Sequence, residues 1–118
     1  MVIAHYEGGC QCGAVSYEAD LDLSETLTCN CSRCQRMGFV LAFTTPDKFT
    51  LKSGQGKLTE YLFNHKVIRH QFCSTCGVES FAYGKMPDGS PTVCINVNTL
   101  SGVNPRELHS KHFDGSKL

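Results

Sequence analysis

At 118 residues with 41% hydrophobic side chains, the chain is long enough for one apolar core and too short for two independent ones. Eleven Lys and Arg balance eleven Asp and Glu, for a formal net charge of zero and a pI near 6.9, so nothing in the charge calls for a nucleic-acid partner. Met1 to Gly9 carries no basic leader or apolar signal core, and no window approaches the ~18 consecutive apolar residues of a membrane span; the expectation is one cytosolic domain over residues 1–118, with no membrane partner.

Taken in chain order, short segments alternate in polarity with the period of a strand. Val15, Tyr17 and Ala19 alternate with Ser16 and Glu18. Strands are next expected over Thr26 to Cys29 and Phe39 to Thr44, with at most a helical turn near Ser32 to Met37 between them. After a turn at Thr45-Pro46-Asp47, Phe49 and Leu51 alternate with Thr50 and Lys52, and Ser53-Gly54-Gln55-Gly56 makes the next turn. Further strands follow over Leu58 to Phe63, Val67 to Phe72 and Val78 to Tyr83, the first two separated by a turn at Asn64-His65. Beyond Pro87-Asp88-Gly89, Val93, Ile95 and Val97 alternate with Thr92, Cys94 and Asn96. No sustained helical stripe occurs. The pattern predicts a mainly β domain of small antiparallel sheets.

Eight cysteines in so short a chain need a reason. In a reducing compartment thiols stay reduced and become candidates for metal binding, whereas disulfides would strain Cys10 with Cys12 and Cys29 with Cys31, each pair separated by one residue. Cys10-Gln11-Cys12-Gly13 and Cys73-Ser74-Thr75-Cys76-Gly77 share a design: each ends a strand, closes with Gly and leads into another strand. Structural zinc takes four tetrahedral ligands, commonly as two close pairs on tight turns, and the Gly supplies the positive φ such a turn needs. Cys10, Cys12, Cys73 and Cys76 are therefore expected to hold one closed zinc site.

Cys29-Asn30-Cys31-Ser32-Arg33-Cys34 differs, with three local thiols, Gln35 in place of Gly after the last, and no matching pair. On an extended segment Cys29 and Cys31 share a face, and a turn at Ser32-Arg33 brings Cys34 onto the same ion. Three ligands from one loop leave a fourth coordination position open, the mark of a catalytic zinc. Three thiolates around Zn²⁺ leave a net charge of about −1, making it a weak Lewis acid for hydrolysis but a soft centre suited to a visiting thiol. Cys94 is either a fourth ligand to that site or a buried or half-buried free thiol. His5, His65, His70, His109 and His112 show no metal-ligand spacing and are expected at the surface or as satisfied core residues. Arg33 and Arg36 flank the triad, with Lys66 and Arg69 on a later strand; they are ordinary solvated charges, or else Arg33 and Arg36 receive the carboxylates of an acidic thiol such as glutathione.

Gly9-Cys10-Gln11-Cys12-Gly13-Ala14-Val15, Cys29-Asn30-Cys31-Ser32-Arg33-Cys34-Gln35-Arg36 and Phe72-Cys73-Ser74-Thr75-Cys76-Gly77 together resemble the glutathione-dependent formaldehyde-activating family, which shares its domain with centromere protein V. The likeness extends over Asn96-Val97-Asn98-Thr99-Leu100 and His112-Phe113-Asp114-Gly115. It implies an all-β, β-tent-like zinc fold binding two ions, with Cys10, Cys12, Cys73 and Cys76 as the structural ligands and Cys29, Cys31 and Cys34 as the catalytic ones. It also implies a carbon-sulfur lyase that joins glutathione, as co-substrate, to formaldehyde. The chain departs from the family pattern at Asn30, where members often carry His; that position is not a ligand and bears on substrate.

Two other classes fit parts of the sequence. A non-catalytic binding or adaptor module would use both zincs for architecture alone. A methionine sulfoxide reductase of the B type would need Cys94 as its nucleophile, but the flanking Thr92-Val93 and Ile95-Asn96 lack that family's Arg-Tyr-Cys-x-Asn strand.

Overall fold

The computed structural model describes residues 3–62 and 67–115. Phe63, Asn64, His65 and Lys66, with the expected Asn64-His65 turn, lie outside them. The fold is all-β. β1 (Ala4–Gly9), β2 (Ser16–Leu21), β3 (Thr26–Cys29), β4 (Leu41–Thr44), β5 (Phe49–Ser53), β6 (Leu58–Tyr61), β7 (Arg69–Cys73), β8 (Glu79–Lys85), β9 (Pro91–Asn96) and β10 (Ser110–Phe113) are accompanied, among the described residues, by one short α-helix without a buried residue, α1 (Ser32–Met37). A three-stranded sheet runs β1-β2-β5, and a seven-stranded sheet runs β10-β3-β4-β9-β8-β7-β6.

Every pairing is antiparallel except β10 against β3, which is parallel. The alternation of β2 becomes a buried row of Tyr17, Ala19 and Leu21. These side chains pack with Ala42, Phe81, Val93 and Ile95 from the larger sheet, forming the core between the two sheets. Phe49 bridges Tyr17 and Phe81, with ring centroids at 5.8 and 4.8 Å. The Tyr17 hydroxyl, buried in this core, is hydrogen-bonded to Thr99 Oγ1 at 2.8 Å, which satisfies a polar group that would otherwise be costly to bury.

Several boundaries differ from the expectation for local reasons. The strand expected from Phe39 begins at Leu41, because the amides of Gly38 and Phe39 both bond to the Cys34 carbonyl and close α1 with Gly38 at φ 70°. Val97 leaves β9 and enters a 3-10 turn, Val97–Thr99, capped by the Asn96 side chain. β1 and β10 were not expected from alternation; β1 is held in place by its full-length pairing with β2, and β10 by its pairing with β3.

Register on the larger sheet decides what its outer face presents. Phe43, Cys94, Ala82 and His70 form one cross-strand row, and Leu27, Leu41 and Asn96 form the next. These residues face away from Val93 and Ile95 and line a cavity completed by Cys31, Cys34 and Phe39 from the segment around α1.

Candidate metal centres

All eight cysteines are free thiols, and seven of them fall into two groups whose sulfurs lie within 4.8 Å of one another. The first group is Cys10, Cys12, Cys73 and Cys76, and the second is Cys29, Cys31 and Cys34. The division expected from spacing is thus present in the folded chain.

The four-thiol group sits where two hairpin turns meet. The β1–β2 turn brings Cys10 and Cys12, the β7–β8 turn brings Cys73 and Cys76, and Gly13 and Gly77 close these turns at φ 83° and 80°. Cys10 and Cys12 sulfurs are 3.7 Å apart, as are those of Cys12 and Cys73. A regular tetrahedron with zinc–sulfur bonds of ~2.3 Å has edges of about 3.8 Å, which these two separations match. Backbone amides point at the sulfurs: Val15 N to Cys10 at 3.2 Å, and Thr75 N and Cys76 N to Cys73 at 3.4 and 3.5 Å. The amides of Val78 and Cys12 hold the Cys76 thiol down to about 6. Cys12 receives the Ala14 amide, yet lost hydration and its sulfur neighbours push its thiol up to about 11.

The three-thiol group is local. Cys29 ends β3, Cys31 is the N-cap of α1 and accepts the Cys34 amide at 3.3 Å, and Cys29 accepts the Cys31 amide at 3.4 Å. Burial raises the Cys29 and Cys34 thiols, while amide donors around Cys31 outweigh its own burial and lower it. The C-terminal segment closes over this loop, with Gly115 N donating to Asn30 Oδ1 at 2.7 Å. A Cβ on Gly115 would stand 2.7 Å from Cys29 Sγ, so only glycine allows this approach. Asn30 is therefore the residue that ties the chain over the cluster.

Cys94 is not among the sulfurs of the three-thiol group. It lines the same cavity, where burial and the Glu79 charge push its thiol up to about 12, the state of a neutral free thiol.

Arg33 and Arg36 lie on α1 beside the cluster, in different settings. The Arg33 guanidinium donates to Glu79 Oε1 through Nε at 3.2 Å and Nη2 at 2.7 Å, and its cation stacks 4.6 Å from the Tyr61 ring centre. Arg36 is exposed and bonds the Ser32 carbonyl of its own helix. Arg69 pairs with Glu60 at 2.7 Å, and Lys66 lies outside the described residues.

The group that sequence reasoning missed is Glu79 with its partners. Its side chain is 3% exposed; one carboxylate oxygen is held by Arg33 and the other lies 2.7 Å from His70 Nδ1. No sequence spacing signals it: His70 lies opposite Ala82, Glu79 lies opposite Phe72 beyond a register shift, and only the folded hairpin brings the two side chains together. His70 is a buried core residue, as one of the two expected settings had it. Among the described residues, His5 gathers with Glu7 and Glu18, but these are solvated groups paired also with Asp20 and Lys52 at 2.9 and 3.0 Å.

No helix of the described residues is long and apolar enough to cross a membrane. Against known proteins, the family model described as glutathione-dependent formaldehyde-activating enzyme matches residues 5–113. The crystal structure of a Rhodobacter sphaeroides protein is similar at a TM-score of 0.78 and 32% sequence identity, over 89% of this chain and 99% of that one.

Proposed function

The chain belongs to the glutathione-dependent formaldehyde-activating enzyme family, and from that membership we propose that it is a zinc-dependent carbon-sulfur lyase that activates a small thiol for reversible addition to formaldehyde or another small carbonyl. The observation that carries this reading is the three-thiol group Cys29, Cys31 and Cys34 in the wall of a cavity, separate from a complete four-thiol set. Cys10, Cys12, Cys73 and Cys76 would hold a structural zinc, and Cys29, Cys31 and Cys34 a catalytic one.

When bound at the three thiols, zinc supplies the positive charge that lowers a visiting thiol's pKa and keeps its sulfur nucleophilic. The protein's own groups do the rest. The Cys31 and Cys34 amides orient the ligand sulfurs, and the Arg33–Glu79 ion pair fixes α1, so the loop is set before substrate arrives. Apolar walls exclude water around the attacking sulfur. The thiol sulfur bonds to the carbonyl carbon, the C=O double bond opens, and the oxygen takes up a proton equal to the one the thiol gave up. An open cleft of about 460 Å³ runs along α1, lined by Ser32, Arg33, Arg36, Met37 and Tyr61. We assign the body of the thiol to it, with Arg36 receiving a carboxylate of glutathione and Arg33 positioning the loop.

The test is Cys31→Ala, with metal counted by native mass spectrometry and adduct formation followed with glutathione and formaldehyde. The variant is expected to keep the fold and one zinc and to lose turnover at least 100-fold; full activity in a folded variant would end the proposal.

A further inference from the structure

The cavity beside Cys29, Cys31 and Cys34 has a volume of about 180 Å³. Its exposed walls are largely apolar, with Leu27, Leu41, Phe43, Ile68 and Phe113 set beside the cysteine thiols. Phe43, Ile68 and Phe113 are also half-exposed, which places an entrance among them. The charged groups at its inner end are already engaged, with one Glu79 oxygen on Arg33 and the other on His70. An apolar cavity of ~150 Å³ is large enough to take benzene. Formaldehyde, with two heavy atoms, would leave this space unused, and among the described lining residues a thiol carrying carboxylates would meet no Lys or Arg.

Resting on the reaction assigned above, we propose that this cavity receives an apolar side group of the carbonyl substrate. The electrophile is then an aldehyde bearing a branched aliphatic or aromatic group, about six to eight heavy atoms in all. The charged thiol and the apolar carbonyl would approach from different sides, because the cleft along α1 and the cavity share no lining residue among the described residues. The addition is the one already written, with the carbon–sulfur bond formed, the carbonyl double bond opened and one proton returned to oxygen; no other reactant is required.

Two measurements on the zinc-loaded protein test this. The first needs no turnover: benzyl alcohol, an unreactive relative of benzaldehyde, is titrated and amide shifts are followed by NMR. Saturable shifts centred on Ala82, Cys94 and Ile68 are expected, and they should be lost in Ala82→Leu, which fills the cavity. Phe43→Ala, at the half-exposed rim, should weaken binding about tenfold and serves if Ala82→Leu does not fold. Shifts elsewhere, or none, overturn the proposal.

The second compares acetaldehyde, propanal, butanal and 3-methylbutanal, whose carbonyls have similar intrinsic reactivity, in glutathione adduct formation. kcat/KM is expected to rise about fourfold for each methylene buried. A flat or falling series in an enzyme that turns over formaldehyde overturns this inference and leaves the reaction standing. Failure of every carbonyl to react, formaldehyde included, overturns the reaction and with it the nature of the guest assigned here.

Discussion

Cys12 and Cys73 meet across 61 residues, and their group joins a hairpin of the three-stranded sheet to one of the seven-stranded sheet. Cys29, Cys31 and Cys34, by contrast, come from one short segment at the margin of a single sheet, and no second sheet depends on them. Ligand chemistry is shared, but topology is not. A cross-link that closes a long loop removes much of the unfolded chain's freedom, whereas one within a few residues removes little. That difference supports the proposed division, in which the four-thiol group holds the fold and the three-thiol group serves the chemistry.

The sharpest way to break this contrast is to remove one thiol from each group. Cys73→Ala should cost about 4 kcal/mol, the entropy of a loop of that length, and leave little folded protein, whereas Cys31→Ala should stay within about 1 kcal/mol of the parent. Denaturant melts of the two variants decide the point, and equal midpoints would erase the distinction.

A smaller effect sharpens the link between the regions. Glu79 stands at the start of β8, just beyond the four-thiol turn, and its carboxylate holds Arg33 on the helix of the three-thiol loop. Glu79→Gln leaves Arg33 without a partner charge and should destabilise by about 3 kcal/mol. Double-mutant cycles with Arg33→Met should recover part of that loss; independent, additive effects would mean that the ion pair couples nothing.

The least costly change tests the three-thiol region alone. Gly115→Ala drives a methyl group against Cys29 Sγ and should cost about 1–2 kcal/mol. It should also weaken metal binding at the second group about tenfold while the first keeps its ion, as read by metal competition with a chromophoric chelator. An unchanged second affinity would show that the closing segment is decoration.

Much of the metal-site geometry was legible because it is local. A Cys pair, its intervening turn and the following Gly are contiguous, and their φ requirements can be read from residue type. The strand alternation of β2 was readable for the same reason, since one of its faces is buried. β10 was not: Ser110-Lys111-His112-Phe113 is largely exposed and mostly polar, and it is a strand because β3 lies alongside it. The Glu79, His70 and Arg33 cluster draws on three separate elements, and no spacing rule connects them. The cavity was equally hidden, because its wall is a set of cross-strand rows that exist only once register is fixed. Cys94 could be placed on the correct face of its strand from alternation, but whether it reached the three-thiol cluster depended on that same register.

The parallel pairing of β3 with β10 has a consequence for how the protein is made. Thr26 meets Ser110 across 84 residues, so the thiols of Cys29, Cys31 and Cys34 leave the ribosome long before the strand and glycine that shield them. At synthesis rates of ~5–20 residues per second the interval is roughly 4–17 s. During that time the nascent loop is open to any oxidant or stray metal, and only arrival of the downstream strand ends its exposure.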